Sequence, residues 1–311
     1  MQRILITGGT GFLGPHIAQR LIEDEACEHV VIPSTSHRSR VAFESDKISL
    51  VDGDVRDYGF VQRLFDKYEF DTVFHLAAIS EVRECQDNAK LAFDTNIGGT
   101  INILEAARAC SNINAIVVSS SYRVYGRSPL PYREEYPLND KGVYEASKTC
   151  ADLIARSYFY NYKLPVTITR CSNLYGPGDL NYSRIIPNTI RLALNDESPL
   201  VHTGVEKLIR EFLYIEDAVD AYLALAKNID KTAGEAYNVG SGEKISIGEL
   251  VNKILNIISS SIRIDYRESS YSEITNQYLD SSKIKNDIGW FAKVALTDGL
   301  NRTIKHHKEK E

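Results

Sequence analysis

The chain has 311 residues, 36 basic against 42 acidic side chains for a formal charge of −6, and 43% hydrophobic residues. At roughly 150 residues per domain this suggests two domains or one large α/β unit, and it excludes a disordered chain and a predominantly basic nucleic-acid-binding surface. No apolar run reaches the ~18 residues of a membrane span, glycine at position 8 interrupts any secretory leader, and the five cysteines contain no CxxC pair, which predicts reduced thiols in a cytoplasmic protein.

From the amino terminus, β-rich runs at 3–7, 29–32, 48–51, 72–76, 115–119 and 166–170 alternate with helical patterns near 14–23, 59–67, 87–110 and 143–161. Near-continuous apolar strands separated by helices predict a doubly wound parallel sheet of the Rossmann kind. Past Cys171 the rhythm changes to loops rich in Gly, Pro, Asn and Asp. Helices follow near 189–194, 218–227 and 247–258, with a short strand near 236–239. The expected division is a dinucleotide-binding unit of residues 1–172 plus about 212–240. A smaller interleaved α/β lobe would hold about 173–211 plus 241–311. The tail KHHKEKE reads as a solvated helix end, with His306 and His307 lacking partners at metal-ligand spacing.

The chemistry begins at TGGTGFLG, where Gly8, Gly11 and Gly14 follow the first strand and open the first helix. Glycine there lets backbone approach a pyrophosphate, and the helix start supplies N–H donors and a positive dipole end. The second strand runs into PSTSHRSR, with no carboxylate for ribose hydroxyls and with Arg38 and Arg40 nearby. That favours NADP over NAD. Asp54, after the third strand, is a candidate acceptor for the adenine amino group or simply a turn residue. Tyr144 and Lys148 lie four apart at the start of a long helix and so share a face. A phenol must drop about three pKa units, roughly 4 kcal/mol, to act as a base near neutrality. One ammonium about 4 Å away supplies a term of that size. Ser121 ends the preceding strand at the carboxyl edge, where ligands bind in open α/β sheets.

Together these pieces resemble the extended short-chain dehydrogenase/reductase family of nucleotide-sugar epimerases and dehydratases. The likeness is carried by TGGTGFLG, GDVRD, VFHLAA, NIGGTIN, SSSYRVYG, YEASK, RCSNLYGPGD, REFLYIEDAVDAYL and YNVGSGE, in that order. The wording around residues 132–134 and 178–187 is closest to a branch containing CDP-glucose 4,6-dehydratase-like proteins. The resemblance implies that Tyr144 takes the proton of a sugar's carbon-4 hydroxyl, Lys148 lowers its pKa and holds the nicotinamide ribose, and Ser121 orients the oxygen. It implies cofactor contacts from Gly8, Gly11, Phe12, Leu13, Gly14, Arg38, Asp54, Val55, Leu76, Ala77, Ala78, Asn96 and Ser119. Contacts to a nucleotide-diphosphate sugar would come from Ser121, Tyr122, Arg123, Asn173, Arg210 and, more weakly, Arg267. The alternative for Arg210 is an ion pair with Glu211 or Asp217.

One departure stands out. Dehydratases of this family usually place an acid just after the serine or threonine, whereas Tyr122 and Arg123 stand here. Elimination needs an acid–base pair, and arginine does not give up its proton. Glu134 and Glu135 are the candidate substitutes. The reading is therefore an NAD(P)-dependent epimerase working through a 4-keto intermediate, with a 4,6-dehydratase, an NADPH-dependent 4-ketosugar reductase and a non-catalytic dinucleotide sensor as alternatives. The likeness further implies a homodimer paired through the helices near 87–110 and 143–161.

Overall fold

The computed structural model describes residues 1–35, 45–139, 141–259, 261–268 and 276–310. The first half runs β1 (Arg3–Thr7), α1 (Leu13–Ile22), β2 (His29–Ser34), β3 (Ile48–Asp52), α2 (Tyr58–Tyr68) and β4 (Thr72–His75). Then come α3 (Val82–Asp87), α4 (Ala89–Phe93), α5 (Gly99–Arg108), β5 (Ala115–Ser121), α6 (Val143–Tyr162) and β6 (Val166–Cys171). The second half contains β7 (Asn173–Tyr175), α7 (Ile185–Leu194), β8 (Leu200–His202), β9 (Ile209–Tyr214), α8 (Ile215–Lys227), α9 (Ile229–Thr232) and β10 (Ala236–Val239). It closes with β11 (Lys244–Ser246), α10 (Ile247–Ile258), β12 (Asp265–Arg267), α11 (Ser282–Ile288) and α12 (Leu296–Lys310).

Seven strands form one parallel sheet in the order β10-β6-β5-β4-β1-β2-β3. Side chains alternate across it: Ile4 and Ile6 of β1 and Ala115 and Val117 of β5 join α1 and α8 on one face. Leu5, Ile116 and Val118 join α2, α5 and α6 on the other. Both faces are covered, so the strands are apolar throughout, as a doubly wound sheet requires. Chain order reverses between β1 and β4, so the loops after those strands diverge and open a crevice at the carboxyl edge. The smaller sheets, β11-β9-β7 and β12-β8, lie in the second half.

The helix expected over 87–110 is interrupted. It comprises α3 and α4, a π-helical turn at Asp94–Gly98, then α5. The extra residue of a π turn has no periodicity signature, which is why the sequence read as one helix. The tail is also less solvated than expected: α12 reaches Lys310, and His307 is buried. Among the described residues no cluster of ligating side chains could hold a metal ion, and no helix is long and apolar enough to cross a membrane.

Two buried polar networks hold the site-bearing loops. In the first, the Ala77 amide donates to Thr7 Oγ1 (3.2 Å), which donates to His75 Nδ1 (2.7 Å). His75 Nε2 donates to Thr100 Oγ1 (3.0 Å), which donates to the Asn96 carbonyl (2.6 Å). The direction of the hydroxyl bonds assigns the proton to Nε2 of a neutral ring. In the second, Arg170 of β6 forms a two-pronged pair with Asp152 of α6, Nε–Oδ2 2.8 Å and Nη2–Oδ1 3.0 Å. Its Nη1 reaches Tyr125 Oη (2.8 Å) and the Glu134 carbonyl (3.2 Å), and Tyr125 Oη donates to Asn238 Oδ1 (2.7 Å).

Both networks make predictions. Asp152 and Arg170 are 0% and 1% exposed, so Asp152→Ala strands a buried cation and costs about 3–5 kcal/mol, read from urea unfolding midpoints. Burial, with the Lys148 charge adding to it, pushes the His75 pKa down to about 3. Below pH ~6.5 the unfolded chain therefore binds a proton that the folded one refuses, and stability falls by about 1.4 kcal/mol per pH unit. Between pH 7 and pH 5 the wild type should lose about 2 kcal/mol more than His75→Gln.

Candidate active site

The turn after β1 divides its glycines by task. Gly8 sits at φ +67°, and a Cβ there would stand 2.7 Å from the Ala77 nitrogen; at Gly14 it would run into the Gly9 backbone. These two allow the turn to close against the loop after β4. Gly11 is exposed, and a Cβ there would contact only the Gly8 carbonyl, at 3.2 Å, so its outer face is open. It stands at the start of α1, where Phe12 offers no side-chain cap and Leu13 is buried. An open glycine beside uncapped helix amides fits a pyrophosphate. Leu76, Ala77 and Ala78 form the opposite lip, half-buried.

Other expected cofactor contacts have structural partners. Both Asp54 oxygens are taken by Arg56, Oδ1 from its amide (2.9 Å) and Oδ2 from its guanidinium (Nε, 2.8 Å). The Arg56 hydrogen bond outweighs burial and holds the carboxyl below its usual pKa. Val55 is buried against Gly99, and its carbonyl accepts from Asn102. Asn96, in the π turn, donates to the Ile79 carbonyl (3.0 Å) and Ser147 Oγ (2.8 Å) and accepts from the Ile79 amide (2.8 Å). Its amide braces the loop after β4 against α6. Arg38 lies outside the described residues.

Tyr144, 8% exposed, is the second residue of α6, and Ser121 is the last of β5. Burial raises the phenol's pKa, while the Ser121 hydroxyl and the Arg123 guanidinium beside it favour the ionised form. The sequence assigned that electrostatic task to Lys148. Lys148 Nζ donates to the Ser119 carbonyl (2.8 Å), and burial pushes its own pKa down to about 8. Ser119 Oγ in turn accepts from Tyr222 Oη (2.9 Å). The ammonium is thus held against β5 one helical turn from Tyr144, and the Arg123 guanidinium is a second cation that favours the phenolate.

A second cluster lies next to this one. Tyr122 is buried, accepts from Asn173 Nδ2 (2.8 Å) and donates to Gln277 Oε1 (3.4 Å); burial pushes its pKa up to about 12. Arg210 is buried within reach of Tyr122, and its Nη1 donates to the Ile209 carbonyl (3.0 Å). Glu211 accepts from the Gly242 and Leu279 amides, and Asp217 from those of Lys293 and Val294. Both carboxylates therefore serve backbone. Arg267 is not brought into this cluster: it is largely exposed on β12 and pairs with Asp265 (2.7 Å). Glu134 Oε1 accepts from the Asn238 amide (2.8 Å) and burial raises the Glu134 pKa, while Glu135 is exposed.

Two features went unread in the sequence. The segment 177–184 lies over the glycine turn: His16 Nε2 meets the Pro177 carbonyl at 3.0 Å, Arg184 sits 5.8 Å over the Phe12 ring, and Ser183 donates to Glu81 (2.8 Å). No local motif announces such long-range contacts. The other is Glu145, 3% exposed, whose Oε1 accepts from Arg123 Nε at 2.6 Å. An arginine two residues past Ser121 and a glutamate beside Tyr144 were its available signal.

Comparison with known proteins agrees with this architecture. A UDP-N-acetyl-alpha-D-glucosaminuronate decarboxylase from Bacillus cytotoxicus is 32% identical, over 100% of this chain and 99% of its own. A dTDP-D-glucose 4,6-dehydratase from Bos taurus is 29% identical over 99% of this chain and 89% of its own. The structure of a dTDP-glucose 4,6-dehydratase from Streptomyces venezuelae with NAD bound superposes with a TM-score of 0.87 at 28% identity, covering 99% of this chain and 97% of that one. The GDP-mannose 4,6-dehydratase family profile matches residues 5–303. The chain therefore belongs to that family and is an enzyme of the short-chain dehydrogenase type that processes nucleotide sugars.

Proposed function

We propose that this enzyme is a nucleotide-sugar epimerase that oxidises carbon 4 of the sugar and reduces the ketone again from the opposite face. The observation that carries the reading is the Tyr144–Ser121 pair at the carboxyl edge of β5 with Arg123 beside it, whose carboxylate neighbour Glu145 is already engaged by the guanidinium. Ser121 Oγ accepts from the Arg123 amide (3.2 Å), which orients its own proton outward to the phenol or to a substrate oxygen. Tyr144, drawn toward ionisation by Ser121 and Arg123, takes the carbon-4 hydroxyl proton and returns it. Lys148, held by Ser119, presents its remaining N–H donors to the ribose beside the nicotinamide. Asn173, Tyr122 and Arg210 form the pocket for the nucleotide's phosphates.

The cofactor, when bound, supplies hydride acceptance and return. Gly11 and the start of α1 would hold its pyrophosphate. The dehydratase from Streptomyces venezuelae carries NAD. In this chain β2 ends at Ser34 without a carboxylate, which supports a modest preference for NADP. We assign cofactor binding to residues 1–172 and about 212–240, and substrate binding to the interleaved remainder. Exposed Ile101 of α5 and Leu153 and Tyr160 of α6 support a homodimer through these helices.

A panel of UDP-, dTDP-, GDP- and CDP-sugars, with products read by mass spectrometry and sugar stereochemistry, tests the reading. Unchanged mass with an inverted centre is expected. Loss of water replaces it with the 4,6-dehydratase reading that the relatives favour, loss of carbon dioxide with a decarboxylase, gain of two hydrogens with a reductase, and dinucleotide binding without turnover with a sensor. Tyr144→Phe should lower kcat by about 10²–10⁴-fold while retaining dinucleotide binding. Light scattering should give twice the chain mass of 34.9 kDa; a monomer refutes the pairing.

A further inference from the structure

The Arg123–Glu145 pair is built in a way that ordinary surface ion pairs are not. Glu145 is 3% exposed and Arg123 26%. The carboxylate sits in the first turn of α6 and folds back over Gly142, where any Cβ would collide with its Oε2. Gly142 thus makes room for it, and the helix start favours its charge. Glu145 engages one donor only, Nε. A guanidinium has five N–H donors in a rigid plane, so four remain on Nη1 and Nη2. Among the described residues none accepts from those nitrogens, and the side chain's exposed quarter faces outward. The charge-assisted bond at Nε restrains the guanidinium plane. The residue adjoins the reacting centre: its amide donates to Ser121 Oγ, and its charge favours the ionised form of Tyr144 against the effect of burial.

A fork of paired N–H groups is the complement of a carboxylate or a phosphate. Arg123 adjoins the Ser121 and Tyr144 pair that would hold the carbon-4 oxygen, and the carbons that flank a reacting carbon 4 are 3 and 5. Of these, carbon 5 bears carbon 6, the position at which a hexose carries a carboxylate when it is an acid. We propose that Arg123, aligned by Glu145, recognises the carbon-6 carboxylate of a nucleotide-linked hexuronic acid, making an acidic sugar the preferred substrate. This rests on the carbon-4 oxidation argued above. Arg123 is the specificity residue and Glu145 the positioning residue.

The carboxylate also determines what the 4-ketone can do. The carboxyl carbon is then β to a carbonyl, so carbon dioxide can leave as the carbon 5–carbon 6 bond breaks. The bonding pair moves into a carbon 4–carbon 5 enolate, and carbon 5 later takes a proton. A planar fork gripping both carboxylate oxygens holds the charge on the acid and opposes that loss, which is compatible with epimerisation of an acidic sugar.

The test uses matched pairs of UDP-, dTDP-, GDP- and CDP-linked glucose and glucuronic acid, with kcat and KM measured on the intact enzyme and affinities by calorimetry on Tyr144→Phe. The expected result is a preference for the uronic acid of about 10–100-fold in kcat/KM and in affinity. Arg123→Ala should abolish the preference, and Arg123→Lys should recover part of it because it keeps the charge without the fork. Glu145→Gln should raise KM for the uronic acid several-fold with a smaller change in kcat, and Glu145→Asp should restore part of the loss. Melting curves and dinucleotide binding establish that each variant is folded. Equal or better use of glucose, or a preference that survives Arg123→Ala, overturns the inference and leaves the epimerase reading standing. Uronic acid preference with loss of carbon dioxide sustains the inference and overturns the epimerase. If no sugar of the panel binds, both fall.

Discussion

A neutral imidazole buried at the end of β4 is the constraint from which the site follows. His75 is compatible with its surroundings only without a charge, accepting from Thr7 on one side and donating to Thr100 on the other. Through these hydroxyls it ties together the Ala77 amide, the end of β1 and the carbonyl of Asn96. Those are the three backbone stretches that border the crevice at the point where strand order reverses. A charged or missing ring would leave buried donors or acceptors unpaired, at a cost of about 1–3 kcal/mol each. The glycine turn can therefore sit at backbone contact distance from the loop after β4, because the polar groups between them are satisfied.

On this frame the site concentrates buried ionisable groups and gives each a fixed partner. Burial alone opposes ionising Tyr144 and opposes protonating Lys148. Ser121 and Arg123 work against the first effect, and the Ser119 carbonyl gives the ammonium an acceptor. A base whose charge is disfavoured by desolvation but favoured by aimed donors suits a proton that is borrowed and returned, since neither form is deeply trapped. Arg170 and Asp152 show the contrasting arrangement. Their charges are satisfied by each other and by Tyr125, they have no exposed edge, and they act as structure.

How legible this was depended on whether a feature is local. The sheet, the glycine turn and α6 were readable because apolar alternation, helical spacing and glycine write themselves into adjacent residues. The π turn at Asp94–Gly98 was not, since one inserted residue leaves the apolar spacing on both sides intact. Asn96 was singled out by its place in a motif, but the bonds its amide makes to Ile79 and Ser147 depend on contacts that only the fold brings near. Asp54 is the local counterpart: its partner, Arg56, is two residues away, so the turn it braces lies within reach of the sequence. Tyr144, Lys148 and Ser121 were recognisable by type and order, whereas the Arg123 charge beside the phenol comes into view only in three dimensions.

That last point bears on the absent acid. Placing arginine two residues past Ser121 removes a proton donor and adds a charge that, uncompensated in a half-buried site, would carry a desolvation penalty of several kcal/mol. Glutamate beside Tyr144 supplies the compensation from the neighbouring element, and Gly142 leaves it room. The two residues therefore have to be considered as one substitution: either alone would leave a buried charge unpaired, whereas together they are neutral and still present a forked set of donors outward. What would be a costly lone cation at the edge of the site is in this way a compensated charge, held by a carboxylate from the neighbouring helix.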